Sequence, residues 1–539
     1  MHSALAKKGC GSVNDLEGLI AGLSRPEAYP HPVDRVERVE THISYVLLAG
    51  EHAYKLKKPL DLGFLDFSTL ERRHFYCEEE LRLNRRLAPD LYLEVVPVTG
   101  SLECPRIGRP GDADGPVLEW AVHMRRFPQG DLLDRRSLTP EMVDLLAERL
   151  AAFHGEASRA PADSPYGTRD AVLKPMVENV NQVRARIRLP ENAGRLERIE
   201  AWTRMRWLEL IPVLEARRAE GRVRECHGDM HRGNIAWVDG APLIFDALEF
   251  NPALRWIDTA SELAFLLMDL QEAGELGSAR RLVNRYLELS GDYGALQVLD
   301  FYKVYRAMVR AKVLAIRLGQ ADLSPGEVGA DREECARYLA LAESFTQSRR
   351  PRLLIVCGLS GSGKSRLGRR LREALPVIHV RSDVERKRLF GLAADERTGG
   401  TPGSGIYFPQ ATEWTYERLH RLAALILASG YDVLVDATFL TRARRGLFRR
   451  LAETRNAAFA ILVLDAPIEV LRRRVIRRLA DGCDASEASL AVLEHQRACC
   501  ECLDVAEQAL AYKIDSSDPP PFEEVLAGIE SITGIDRDR

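Results

Sequence analysis

Leu353-Leu354-Ile355-Val356-Cys357-Gly358-Leu359-Ser360-Gly361-Ser362-Gly363-Lys364-Ser365 decides the fold of the second half of this chain. An apolar run leads without a gap into the pattern G-x-x-x-x-G-K-S. A short apolar run bounded by glycine reads as a buried strand, and the leucine-spaced basic stretch after Lys364 reads as a helix. Glycines between the two let successive backbone N–H groups turn inward around an anion, and the helix presents its positive end to the same point. Lys364 would neutralise the outer phosphates of a nucleotide, and the Ser365 hydroxyl would hold Mg²⁺. Gly358, Ser360, Gly361, Ser362, Gly363, Lys364 and Ser365 are therefore expected to bind ATP. Average composition produces this match in about one chain in fifty of this size, and the flanking strand and helix make coincidence rarer still.

Downstream, strand-like runs at Val377–Val380, Val433–Asp436, Ala460–Leu464 and Tyr512–Ile514 alternate with helical patterns at Lys364–Leu375, Glu413–Ser429, Arg442–Thr454 and Ile468–Leu479. That rhythm predicts a doubly wound parallel sheet with helices on both faces. Asp436 ends the run Val433-Leu434-Val435, where a carboxylate would hold the metal. Asp383 follows the second strand, in Arg381-Ser382-Asp383-Val384-Glu385-Arg386-Lys387. Ends of adjacent parallel strands open onto one crevice, so Asp383 could act as general base toward an acceptor hydroxyl, or simply cap a helix. Arg474 and Arg478, four apart, share a helix face and could close over phosphates in the transition state; a solvated basic helix is the alternative. This arrangement resembles the small P-loop kinases of the gluconate kinase, zeta-toxin and polynucleotide kinase kind, AAA-type ATP-binding domains, over roughly residues 352–515. The resemblance implies a mobile lid and Mg-ATP, and leaves the acceptor open.

A second signature stands far upstream, in His227-Gly228-Asp229-Met230-His231-Arg232-Gly233-Asn234. Phosphoryl transfer of the protein-kinase type uses an aspartate at the acceptor hydroxyl and an asparagine five residues later on magnesium. Asp229 and Asn234 have that spacing, and the next apolar run, Pro242-Leu243-Ile244-Phe245, ends at Asp246, a second metal ligand. His227 and His231 read equally well as struts that shape the loop. Here the chain resembles the aminoglycoside phosphotransferase and choline-kinase-like family over roughly residues 35–340. The resemblance implies a two-lobed, protein-kinase-like α+β domain. It makes Lys55, rather than Lys57, the phosphate-binding lysine, and Glu80 its partner, with Glu78 or Glu79 as alternatives. It makes Asp258 a support of the catalytic loop. The glycine-rich loop of such kinases is missing: the turn between the first strands reads Glu40-Thr41-His42-Ile43-Ser44.

Together the two halves resemble bacterial fusions of a phosphotransferase-like domain, residues 1–345, with a P-loop kinase domain, residues 346–539. The junction falls in the polar stretch 344–352, which carries Pro351. The expected activity is Mg-ATP-dependent phosphorylation of a hydroxyl on a small-molecule acceptor, with Asp229, Asp383, Arg474 and Arg478 catalytic and Ser365, Asp436, Asn234 and Asp246 holding metal. Two other readings stand beside it: a nucleotide-driven switch with a degenerate kinase-like domain, and a nucleic-acid 5′-end kinase using the basic run Arg381, Arg386, Lys387 and Arg388.

Composition sets the outer bounds. The chain has 539 residues, 46% hydrophobic and 29% charged, with a net charge of -3. This is ordinary for a globular protein of several domains and gives no global attraction to nucleic acid or an anionic membrane. Residues 1–13 carry two lysines and no signal-peptide core, and the apolar runs are too short to span a bilayer, so a cytoplasmic location is expected. Ten cysteines scattered over this length do not form a disulfide framework. His495, Cys499 and Cys502 would share a helix face and could bind a metal, but burial as ordinary core cysteines is the expected reading. Pro212 is expected to kink or split a long helix over Glu191–Arg218.

Overall fold

The structure is a computed structural model and describes residues 13–61, 63, 65–109, 116–186, 190–319, 323–394, 396, 405–481, 486 and 488–536. Most of the N-terminal stretch judged above for a targeting signal lies outside the described residues. The chain forms two compact units: residues up to Pro175 with Leu214–Asp269, and Met176–Val213 with the chain from Leu270 onward.

The first unit is built on an antiparallel sheet of β1 (Val36–Glu40), β2 (Ser44–Ala49), β3 (His52–Lys57), β4 (Tyr92–Gly100), β5 (Pro105–Ile107) and β6 (Glu119–Arg125), in the order β1-β2-β3-β6-β4-β5. Strand periodicity sorts β3 between two faces. Tyr54 and Leu56 join the core under α1 (Val13–Leu23), and Ala53 joins the core under α2 (Leu70–Asn84). In α1, Leu16, Leu19, Ile20 and Leu23 recur at helical spacing and are fully buried, worth about 1.5–3 kcal/mol each in apolar transfer. Thr69 caps α2 by accepting from the Arg72 amide. The unit continues through α3 (Pro140–Glu156), the start of α4 (Arg169–Arg186) and the end of α5 (Pro190–Ala219). It closes with β7 (Val223–Glu225), the hairpin of β8 (Ile235–Val238) and β9 (Ala241–Ile244), α6 (Pro252–Arg255), β10 (Trp256–Asp258) paired with β7, and α7 (Thr259–Glu272).

The second unit contains α8 (Leu276–Ser290), α9 (Leu296–Arg317) and α10 (Pro325–Ser344) together with a five-stranded parallel sheet. Its strands β11 (Arg352–Cys357), β12 (Val377–Arg381), β13 (Asp432–Asp436), β14 (Ala458–Asp465) and β15 (Ala511–Asp515) lie in the order β12-β13-β11-β14-β15. The first strand of the sheet is thus central, with successors on both sides, which opens a crevice at the carboxyl ends of the strands. The covering helices are α11 (Lys364–Ala374), α12 (Ser382–Leu389), α13 (Pro409–Ala428), α14 (Arg442–Thr454), α15 (Ile468–Asp481), α16 (Leu490–Ala498), α17 (Val505–Gln508) and α18 (Phe522–Thr533). Arg352 and Asp432, both buried, form an ion pair at 2.8 Å where β11 and β13 begin. No helix among the described residues is long and apolar enough to cross a membrane.

One reading of the elements needs correction. The helix expected over Glu191–Arg218 runs unbroken through Pro212, where the buried Leu210 and Leu214 on either side outweigh one missing amide donor. The chain at Ile257 is still β10 and turns helical only at Thr259, because Ile257 pairs with Arg224 across the ladder. Strands β4 and β6 and helices α4, α8 and α10 were not legible in the sequence.

Candidate active sites

In the first unit the loop between β7 and β8 carries Asp229 and Asn234, and Asp246 follows β9. His227 pins the two together. Its Nδ1 accepts from the Asp229 amide at 3.3 Å and its Nε2 donates to the Phe245 carbonyl at 2.8 Å. Those partners require the neutral ring, and burial lowers the pKa of His227 in the same sense. His231 accepts from the Gly233 amide at 3.1 Å, so both histidines act as struts of the loop. Glu262 accepts from the Gly228 amide at 2.7 Å and is bonded to His154 at 2.9 Å, while Asp269 accepts from the Arg232 amide. The loop thus hangs from two buried carboxylates on α7. Asp258, expected in that role, instead pairs bidentately with Arg217 at 2.7 Å and accepts from the Ala260 amide.

Asn234 Nδ2 donates to the Asp229 carbonyl at 2.9 Å and to Asp229 Oδ2 at 3.1 Å. This leaves the amide oxygen of Asn234 for a cation. Asp246 sits at φ +64, a backbone state that few side chains other than Asp and Asn adopt, and its amide donates to the Tyr92 hydroxyl. Lys55 Nζ lies 2.6 Å from Asp246 Oδ1 and 2.8 Å from Glu80 Oε1. Lys57 is buried between Glu80 and Glu249. The structure therefore brings Lys55, Glu80 and Asp246 together and places Asp229 and Asn234 in mutual contact. Glu78 lies 3.6 Å from His74, and Glu79 pairs with Arg82 and Arg255. Burial raises the pKa of Glu249 despite the neighbouring Lys57. Glu249 was missed in the sequence, although it lies three residues beyond Asp246.

In the second unit the loop from Gly358 to Gly363 joins β11 to α11 and depends on its glycines. A Cβ on Gly358 would stand 2.5 Å from the Leu464 carbonyl oxygen, and Gly363 holds φ +92 at the entry to α11. Only glycine meets both conditions without strain. Lys364 Nζ donates to the carbonyls of Gly358 and Leu359 at 2.9 and 3.0 Å. Burial lowers its pKa, opposed by Asp436 and Asp383. Ser365 Oγ donates to Asp436 Oδ2 at 2.7 Å, so hydroxyl and carboxylate converge from the loop and from the end of β13. Burial opposes the charge on Asp436, but His379, 3.4 Å away, and Lys364 outweigh it and hold the carboxylate below its usual range. A hard divalent cation suits that oxygen pair.

These groups line a crevice of about 1020 Å³, which also holds Asp383, Arg386, Arg474 and Arg478. Asp383 lies in the first turn of α12 without capping it: the N-cap position is Arg381, with no side-chain bond. Arg474 donates to the carbonyls of Gly361 and Ser516 at 3.3 and 2.7 Å, which places it against the loop, and Arg478 donates to the Ala488 carbonyl. Gln496 on α16 accepts from the Ser360 amide at 2.9 Å, a contact with no signal in the sequence. A smaller cavity of about 340 Å³ opens behind the loop, lined by Arg370, Arg477, Pro519 and Phe522 among others.

Two surface readings fail. Arg381, Arg386, Lys387 and Arg388 form neither an exposed basic groove nor a solvated helix face. Lys387 is fully buried, Arg386 nearly so, Arg381 lies 3.9 Å from Glu288, and Arg388 pairs with Glu385. Cys499, Cys500 and Cys502 are exposed rather than packed in a core. The His495 and Cys499 side chains approach to 3.8 Å, but Cys502 lies beyond the end of α16. Among the described residues the one cluster with metal-binding spacing is the buried trio His154, Cys226 and Glu262, whose glutamate is already occupied by the Gly228 amide of the loop between β7 and β8.

Comparison with known proteins follows the same division. Residues 67–299 match the family described as Phosphotransferase enzyme family, and residues 353–503 match the AAA domain family. An uncharacterized protein of Mycobacterium tuberculosis (strain ATCC 25618 / H37Rv) is 32% identical over 475 residues, covering 87% of this chain and 92% of that protein. An adenylyl-sulfate kinase of Myxococcus xanthus is 33% identical over 128 residues, which is 24% of this chain and 64% of that protein. Among solved structures, the microcompartment-associated aminopropanol kinase aligns with a TM-score of 0.38 and 17% identity, over 60% of this chain and 96% of that one.

Proposed function

The chain belongs to the same family as the mycobacterial protein and is a kinase that joins a phosphotransferase enzyme family domain to a P-loop AAA domain, and from that premise we propose that its P-loop site phosphorylates a hydroxyl of a small molecule with Mg-ATP. The observation that carries this reading is the convergence of Lys364, Ser365 and Asp436 at the mouth of one crevice with Asp383. Phosphoryl transfer needs mainly positioning and charge stabilisation, and those groups supply both.

Lys364 exchanges its loop carbonyls for the outer phosphates of ATP, and the loop amides take the remaining oxygens. A magnesium ion held at Ser365 and Asp436 would neutralise charge on the phosphates. Asp383 accepts the proton of the acceptor hydroxyl as its oxygen bonds to the terminal phosphorus. The bond from that phosphorus to the bridging oxygen breaks, and the electron pair leaves with ADP. Arg474, already against the loop, and Arg478 stabilise the charge on the phosphoryl group in flight. The cavity behind the loop suits the adenine ring, since its Arg370 and Phe522 stack with the guanidinium carbon 4.1 Å from the ring centre.

The first unit is a second Mg-ATP site in this proposal. Lys55, oriented by Glu80, contacts phosphate, Asn234 and Asp246 hold metal, and Asp229 orients the acceptor hydroxyl. The existing contacts Lys55–Asp246 and Asn234–Asp229 support these roles. We place the junction between the two modules at residues 345/346, in the linker from α10 to β11, although compact packing groups α8 to α10 with the parallel sheet.

The test is ATP turnover by the full chain with a panel of hydroxyl-bearing metabolites, using Lys364→Ala and Asp229→Ala separately. Acceptor-dependent ADP release that Lys364→Ala removes is the expected result. Release that no acceptor stimulates would instead make the domain an ATP-driven switch.

A further inference from the structure

Helix α16 rests on the phosphate loop. Its Leu493 is buried with Leu471 and Val475 of α15, and Leu359 of the loop packs against the same three side chains. Three residues on, Gln496 accepts from the Ser360 amide at 2.9 Å. Gln496 and Cys499 are again three apart, so they share a helix face, and both line the crevice. The shape of the loop therefore depends on where the end of α16 sits.

That end runs into Cys499-Cys500-Glu501-Cys502, the C-x-x-C spacing at which two thiols can close a short disulfide ring. The thiols of Cys499, Cys500 and Cys502 are all exposed. The two outer cysteines are held from different sides. Cys499 ends α16, its amide bonded to the His495 carbonyl at 3.1 Å. Cys502 is tied to α14: its carbonyl accepts from Arg442 Nε and Arg445 Nη2, both at 3.3 Å. Arg445 is itself buried and paired with Glu507 at 2.8 Å, and the Glu501 amide donates to the Leu440 carbonyl at 2.8 Å, so this side is anchored. Cys499 also has a base at hand, since His495 Nε2 lies 3.8 Å from its sulfur. Burial pushes the Cys500 thiol up against the opposing charge of Arg445, which disfavours the thiolate of the middle cysteine.

We propose that Cys499 and Cys502 form a redox-sensitive pair, and that peroxide closes them into a disulfide that draws the end of α16 away from the phosphate loop. His495 accepts the Cys499 proton as the sulfur attacks one peroxide oxygen. The O–O bond breaks, Cys499 becomes a sulfenic acid, and the departing hydroxide recovers the proton from His495 as water. The Cys502 sulfur then attacks the Cys499 sulfur, and hydroxide leaves with the Cys502 proton as a second water. Two electrons pass from the two thiols to the peroxide, and a dithiol reductant reverses the step by exchange. Bonded sulfurs stand about 2 Å apart. Because Cys502 is the anchored partner, the end of α16 moves, and Gln496 leaves the Ser360 amide. The disulfide chemistry is independent of the P-loop kinase reading above; its effect on nucleotide binding rests on that reading.

The experiment treats the full chain with hydrogen peroxide, blocks the remaining thiols with N-ethylmaleimide and maps disulfides by mass spectrometry. Hydrogen exchange at the Ser360 amide and calorimetry with Mg-AMP-PNP are read before oxidation, after it, and after dithiothreitol. Binding at the P-loop is the part that Lys364→Ala removes. A Cys499–Cys502 link is expected, with exchange at Ser360 faster and P-loop affinity lower by about tenfold each, the scale of one lost hydrogen bond. Dithiothreitol should restore both. Cys502→Ser should abolish all three responses, and Cys500→Ser should keep them. The proposal is overturned by peroxide-treated protein with no Cys499–Cys502 link or with a link to Cys500 in its place. It is equally overturned by a link that leaves the Ser360 exchange or the nucleotide affinity unchanged. Reduced protein that binds no AMP-PNP through Lys364 would strike the P-loop reading instead, and the mapped link and the Ser360 exchange would still decide the redox pair.

Discussion

Asn284 on α8 accepts a hydrogen bond from the His379 amide at 2.7 Å and donates one to the Val377 carbonyl at 3.0 Å. β12 is the edge strand of the parallel sheet, and one amide side chain thus pairs with it as a neighbouring strand would. The His379 ring lies 3.4 Å from Asp436, so the contact also steadies the strand beside the Ser365–Asp436 pair. Replacing Asn284 by leucine strands a buried donor and a buried acceptor, each worth about 1–3 kcal/mol when left unpaired. The expected outcome is a lower unfolding midpoint in urea and faster hydrogen exchange at the His379 amide. Unchanged protection there would mean the edge is held by something else.

Lys364→Ala removes the ammonium group that bonds the Gly358 and Leu359 carbonyls and that the proposal assigns to the phosphates. Nucleotide affinity of the second unit should fall by about a hundredfold, the scale of lost hydrogen bonds to a charged group. Asp229-dependent activity should remain. Calorimetry with AMP-PNP and a coupled ADP assay separate the two, and simultaneous loss of both activities would show that the sites are coupled.

Asp229→Asn keeps the bond from Asn234 in form but cannot take up a proton. If the first unit is active, its turnover should drop by about 10²–10⁴, while AMP-PNP binding by that unit is retained. The check is a single-turnover assay in the Lys364→Ala background. Turnover equal to that of the parent would remove Asp229 from the chemistry.

Glu80 sets an acid limit on the first unit. Burial alone would raise its pKa, but Lys55 and Lys57 outweigh burial and bring it down to about 2 from an ordinary 4.5. The unfolded chain therefore takes up this proton first as the pH falls. The stabilisation is complete above about pH 4.5 and is lost progressively as the pH falls below it. Circular dichroism melts between pH 6 and 3 should show this slope, and Glu80→Gln should flatten it.

Sequence alone determined the two chemical signatures and the alternation that makes the second half a parallel sheet. Gly358 to Ser365 and Asp229 to Asn234 are legible because their chemistry depends on backbone shape and fixed local spacing, which the chain carries in one dimension. The order of β11 to β15, the convergence of Asp436 with Ser365, the choice of Glu262 over Asp258 beneath the loop from His227 to Asn234, and the contacts of Gln496, His379 and Asn284 were decided only by tertiary structure. Each joins residues many positions apart through a single hydrogen bond or ion pair, and no periodicity records such a pairing. Burial is the clearest case. Arg386 and Lys387 read as solvated charge on a helix, and only tertiary packing, in which Arg386 donates to the Ile406 carbonyl and Thr412 and Lys387 to the Ala394 carbonyl, takes them out of water.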